Sequence, residues 1–271
     1  MKCQLAHLAV NYETFGTGKP LVVISGIPSD HQIIMSWLEP VLSSRPGWQR
    51  IYFDLPGTGL TPAGGITTID QVLDVVCEFI AQIAPAQSCT VLGLSVGGYL
   101  ARGVTYRIPN QVDGLCLLVP WLSYQEETGA PFPTAISRDA AAMQQLSPDD
   151  AQRVEGLAVV QDHKIVSWYC NVVLAARQHG EGLPLKQFTF AFDLDHPSHI
   201  FAKPTLIVAG RQDAHVGYRD ALSIIEHYPR ATLAILDRAG HALGIEQERV
   251  FHVLINEWLD RVEEYQRAAL L

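Results

Sequence analysis

Thr90-Val91-Leu92-Gly93-Leu94-Ser95-Val96-Gly97-Gly98-Tyr99-Leu100 is the stretch that decides the fold. Its first half is a compact apolar run, the pattern of a strand buried on both faces of a parallel sheet. Its second half, continuing through Ala101 and Val104, reads as a helix. Gly93-x-Ser95-x-Gly97 therefore lies where a strand turns sharply into a helix. A nucleophile must project from such a turn, and the backbone there approaches itself closely. Glycines two residues either side leave that room. The helix N-terminus behind Ser95 favours negative charge developing beside it. The plain alternative is a serine N-cap on an ordinary strand–helix turn.

On either side the same rhythm recurs. Leu21–Ser25, Ile51–Asp54, Leu115–Val119, Thr205–Ala209 and Thr232–Leu236 are further short apolar runs, and residues 4–14 read as a short strand pair. Ile69, Val72, Leu73, Val76, Phe79, Ile80 and Ile83 repeat at helical spacing behind Thr68, a plausible N-cap. Val250, Phe251, Leu254, Ile255, Trp258, Leu259 and Val262 form a second apolar stripe. Strand–helix alternation predicts an α/β fold: a mostly parallel sheet of about eight strands, with helices on both faces. Residues 121–202 break the rhythm. They hold helical segments near 134–146, 148–160 and 163–179 and no convincing buried strand. The expected organisation is a core of residues 1–120 and 203–271 with 121–202 inserted as a helical cap.

At 271 residues, 48% hydrophobic and 17% charged, the chain can bury a sizeable core. A net charge of −9, with no Lys/Arg block, argues against nucleic-acid and anionic-membrane partners. No apolar run approaches the roughly 20 residues that span a bilayer. The five scattered cysteines include no C-x-x-C pair, so neither a zinc site nor a redox pair is indicated, and no metal or cofactor is expected. The N-terminus has no h-region, and the expected location is cytoplasmic. The oligomeric state is left open between monomer and homodimer.

Ser95 needs a base, and the base needs a carboxylate. His241 stands in the turn Ala239-Gly240-His241 after the last strand, and Asp213 follows a buried strand directly. His215 and Asp54 are the nearest rivals. Three segments resemble signatures of the α/β-hydrolase superfamily. They are Asp54-Leu55-Pro56-Gly57-Thr58-Gly59-Leu60-Thr61, Gly210-Arg211-Gln212-Asp213, and Gly240-His241 with Glu246. The resemblance covers nearly the whole chain and implies the triad Ser95, Asp213 and His241. It assigns Asp54 to loop packing. It also implies an oxyanion hole from the amides of Val96 and Ile27. Here the chain departs from the family, with Ser25-Gly26 where many members carry His-Gly. The missing imidazole leaves backbone donation at Ile27 untouched.

The substrate pocket is expected between the sheet's C-terminal edge and the cap. Gly26, His31, Trp121 and Trp168 are expected on its wall, with Tyr124, Tyr169, Phe188, Phe190 and Phe192 as further candidates. The cap's own core is the alternative place for most of these aromatics. No Arg/Lys pair stands where it would await a carboxylate or phosphate. The expected substrate is a small molecule with a small to medium, largely apolar acyl group, cleaved as a carboxylic ester through an acyl-enzyme. Cleavage of a C–C bond in a vinylogous diketone, perhydrolase (haloperoxidase-type) chemistry, and a non-catalytic receptor are the competing readings. A serine rather than an aspartate nucleophile argues against epoxide and C–halogen hydrolysis. The elbow also lacks the Gly-Gly-Ser-Trp-Gly form of proline iminopeptidases.

Overall fold

The computed structural model describes residues 1–85, 87–122 and 134–269. Among the described residues ten strands occur in chain order: β1 Lys2–Gln4, β2 Ala9–Phe15, β3 Lys19–Ile24, β4 Trp48–Phe53, β5 Cys89–Leu94, β6 Val112–Leu118, β7 Ser137–Arg138, β8 Val160–Gln161, β9 Thr205–Gly210 and β10 Ala231–Leu236. Eight of them form one sheet in the order β1-β2-β4-β3-β5-β6-β9-β10. Its pairs are parallel from β4 onward, while β1 and β2 join antiparallel at one edge. Successive residues of each central strand face opposite cores, as a pleated strand requires. Val22, Ile24, Val91, Leu115 and Leu117 face one core, with α2 (Ile69–Ile83) and α3 (Val96–Arg107) packed over them. Leu21, Val23, Leu92, Cys116 and Leu118 face the other, under α1 (Gln32–Leu42) and α10 (Glu248–Ala268). This is why the central strands read as unbroken apolar runs. β10 is the exception: it closes the sheet on one side only, and Ile235 is 36% exposed.

Thr68 caps α2 as its position suggests. Its side chain accepts from the Gln71 amide, and the Gln71 side chain returns the bond to the Thr68 amide. All five cysteines are free thiols. Burial pushes Cys77 up to about 11 and Cys89 up to about 12, so both are uncharged packing groups at neutral pH.

β6 and β9 are sheet neighbours, yet some 86 residues separate them in sequence. The described part of that insertion carries α4 (Ala140–Met143), α5 (Pro148–Leu157), α6 (His163–Trp168) and α7 (Leu174–Ala176), with a π-helical turn over Tyr169–Val173 between the last two. β7 and β8 pair with each other inside it, a two-residue ladder too short to register as a buried run. The insertion has its own apolar cluster of Met143, Val154, Ile165, Val166, Tyr169 and Val173, which Ala242 of the main body joins. Downstream, α8 (Arg219–Ser223) follows β9, and α9 (Leu243–Glu246) leads into α10.

Candidate active site

Ser95 takes φ 55° and ψ −120°, a backbone state that few residues other than glycine adopt. The surrounding bonds enforce it. Its amide donates to Leu118 O (2.9 Å), and its carbonyl accepts from Gly98 (2.8 Å) and Trp121 (3.0 Å). The glycine requirement is steric. A Cβ at Gly93 would overlap the Gly97 carbonyl, and one at Gly97 would overlap the carbonyls of Ile24 and Ser25. Strain held in place this firmly is characteristic of functional sites.

The imidazole and the acid arrive from loops after β10 and β9. His241 Nδ1 lies 2.8 Å from Asp213 Oδ2. Asp213 Oδ1 accepts from the amides of His215 (2.8 Å) and Val216 (3.2 Å). The Asp213 side chain is wholly out of solvent, while that of His241 is 16% exposed. Burial alone would raise the Asp213 carboxyl, but the His241 charge and hydrogen bond and the two amides bring it below the usual carboxylate range. For His241, burial opposes the charged form, and the Asp213 carboxylate more than offsets this, so the imidazole is raised above 6.5.

Ser95, His241 and Gly26 all line one cavity of about 350 Å³. Among the described residues no hydrogen bond joins the serine hydroxyl to the imidazole; both line the same cavity. A Cβ on Gly26 would stand 3.4 Å from the Ser95 Cβ, so this position meets the hydroxyl with bare backbone. Val96 is the first residue of α3, where the amide has no intrahelical carbonyl behind it. Ile27 borders the same cavity just beyond β3. Ser25, standing where many relatives have histidine, donates its hydroxyl to Asp30 O (3.3 Å) and closes the loop over 25–30.

Trp121 and Trp168 are both on the wall. His31 is not, which corrects its expected placement. It is 3% exposed and turned into the protein, with Nδ1 2.7 Å from Asp54 Oδ1. Asp54 also accepts from Asn11 Nδ2 (2.8 Å), the Leu60 amide (2.9 Å) and the His31 amide (3.1 Å), so it serves loop packing. Phe190 and Phe192 stack in a column with Tyr99 and Tyr106, outside the cavity. Tyr169 is buried in the insertion's own cluster, and Tyr124 lies outside the described residues. Sequence reading missed Trp37, Ile33, Leu157, Val173, Val216 and two residues of opposite charge, Asp30 and Arg177, all of which line the cavity. His215 lines it too, its ring centroid 5.0 Å from that of His241; burial, with the His241 charge, lowers it below 6.5 and keeps it neutral.

The fold is that of the α/β hydrolases. An α/β-superfamily hydrolase of Oenococcus oeni superposes with a TM-score of 0.85 at 24% identity, covering 97% of this chain and 99% of that one. The chain belongs to the serine aminopeptidase S33 family, whose model matches residues 43–248. A pimeloyl-[acyl-carrier protein] methyl ester esterase of Aeromonas hydrophila is 27% identical, over 93% of this chain and all of its own length. A protein of Agrobacterium fabrum that carries the name carbamate hydrolase RutD is 22% identical, over 93% of this chain and 97% of its own. Among the described residues no helix is long and apolar enough to cross a membrane.

Proposed function

We propose that this hydrolase cleaves carboxylic esters with a small to medium, largely apolar acyl group, using Ser95 as nucleophile, His241 as general base and acid, and Asp213 as its orienting carboxylate. The observation that carries this reading is a strained serine sharing a cavity with an imidazole that is hydrogen-bonded to a fully buried carboxylate. His241 Nε2 takes the serine proton as Oγ attacks the acyl carbon, and the same imidazole then protonates the leaving alkoxide. Asp213, held below its usual range, stays ionised beside the imidazolium. The amides of Val96 and Ile27 would receive the oxyanion. The resulting acyl-enzyme is hydrolysed by water through the reverse proton path.

The wall supports the substrate class. Trp37, Trp121, Trp168, Ile33 and Val173 are apolar surface, and about 350 Å³ suits a short chain or one ring. The two relatives above are named for a methyl ester and a carbamate, both acyl compounds attacked at a carbonyl carbon. The insertion would act as the cap that closes this wall. The test is fluorophosphonate labelling with site mapping, followed by turnover of p-nitrophenyl acetate, butyrate and hexanoate. Labelling at Ser95, with turnover lost in Ser95→Ala and His241→Ala, is the expected result. Full turnover by Ser95→Ala would overturn the assignment. A vinylogous diketone consumed much faster than any ester would move the reading to C–C hydrolysis, and a peroxide-dependent product to perhydrolysis. Failure of folded protein to label would favour a receptor.

A further inference from the structure

We propose that Glu246 is a positioning residue for this reaction, its one carboxylate fixing both the turn that carries His241 and the inserted wall above it; the inference rests on the Ser95 hydrolase reading. Glu246 ends α9. Its Oε2 accepts from the amide of Gly240, the residue before His241, at 2.6 Å. Its Oε1 accepts from Val159 (2.7 Å) and Val160 (3.0 Å) of the insertion. One side chain thus joins two segments 86 residues apart in the chain, counted from Val160 to Glu246.

Neighbouring contacts show how closely those segments are fitted. The Ala242 amide donates to Leu157 O at 3.0 Å, and a Cβ at Gly240 would stand 2.6 Å from that carbonyl. Leu157 is itself on the cavity wall, and a Cβ at the neighbouring Gly156 would stand 3.7 Å from His215 Nε2. Displacing the Glu246 carboxylate would therefore move the imidazole and the wall together. The ordinary role of such a glutamate would be to stabilise a loop, and that role alone would leave kinetics unmoved in folded enzyme.

A carboxylate accepts all three amides as charge-assisted bonds, whereas a carboxylic acid keeps only neutral acceptor capacity and holds them more weakly. Burial, only partly offset by those amides, pushes Glu246 up to about 7. The charged groups around it are Asp213 and His241 on the facing loops, His215 beyond them, Lys164 of α6, and Glu248 of α10, which Lys164 pairs. Burial raises Glu246 and the Asp213 carboxylate raises His241, so each holds its proton to higher pH than it would in isolation, and protonation of either diminishes turnover.

The experiment is kcat for p-nitrophenyl acetate across about pH 5 to 9 in wild type, Glu246→Gln and Glu246→Asp, with fluorophosphonate labelling alongside. In wild type, log kcat should fall on the acid side with a slope approaching two protons. In Glu246→Gln the slope should drop to one and the plateau kcat should fall roughly tenfold, with KM changed less. Glu246→Asp should keep the steep limb. A wild-type slope of one, or a Glu246→Gln enzyme with the wild-type plateau and slope, overturns the proposal. Should Glu246→Gln fail to fold, the wild-type slope decides. A wild type that neither labels nor turns over ester removes the hydrolase reading and this inference with it, whereas an active wild type with a slope of one removes this inference alone.

Discussion

Asp213 has no exposed surface and three hydrogen-bond partners, and in the proposed mechanism its work is to hold His241. Asp213→Asn keeps the shape but offers His241 a donor where it needs an acceptor, which favours the wrong tautomer. We expect kcat to fall roughly 10³- to 10⁴-fold with KM little changed. The residual activity should also shift in pH. Asp213 is what raises His241, while burial opposes its charge. Without the carboxylate the imidazole deprotonates more readily, so the acid limb of kcat should move to lower pH; a limb that stays in place or moves upward would contradict the assignment. His31→Ala should do the reverse. Removing one partner of a buried pair costs roughly 3 kcal/mol of stability, so the thermal midpoint should drop, yet kcat/KM for p-nitrophenyl acetate should stay within about threefold of wild type because His31 does not border the cavity. That Ser95, Asp213 and His241 stand in turns just beyond β5, β9 and β10 was legible because each such turn leaves a mark in sequence: paired glycines, an acid straight after a strand, a glycine before the histidine. His31 was misread because its loop is near the site while its side chain follows the first turn of α1 into Asp54, a direction that sequence does not record.

At the scale of elements, the sheet was legible and the cavity wall only in part: Gly26, Trp121 and Trp168 were expected on it, while Trp37, Leu157 and Val173 were not. Strands buried on both faces announce themselves as apolar runs. The wall is assembled from α1, α6 and the loops at the sheet's edge, so Trp37 and Trp168 become neighbours, with ring centroids 6.4 Å apart, only after folding. The π-helical turn over Tyr169–Val173 also has no sequence signature. It lies between two wall residues, Trp168 before it and Val173 at its end, and so sets how both present themselves to the cavity. Trp168 is fixed further by its Nε1 donating to Ser36 Oγ at 2.9 Å. Trp168→Ala should therefore act on the acyl group rather than on the chemistry. We expect kcat/KM for p-nitrophenyl hexanoate to fall roughly tenfold more than for the acetate. An equal loss on both esters would mean that α6 supports the site only as scaffold.

Across the whole molecule, stability and activity are set to move in opposite directions near neutrality. His31 and His241 are raised above 6.5, so the stability each contributes is fully present below that value and lost as pH rises through the folded pKa. Glu246, raised from 4.5 to about 7, binds its proton more tightly in the folded state, so its contribution is complete below 4.5 and lost as pH climbs to about 7. His215 opposes them: it is lowered, and its contribution is lost as pH falls below 6.5. With three raised groups against one lowered group, the thermal midpoint should decline as pH rises above 6.5 through the folded values of the raised groups. As pH rises through the folded value of His241 the imidazole loses its proton, and in the proposed mechanism kcat rises with it. Calorimetry and ester kinetics on the same samples test this, and a midpoint that climbs together with kcat would show that the surface charge outweighs these four buried groups.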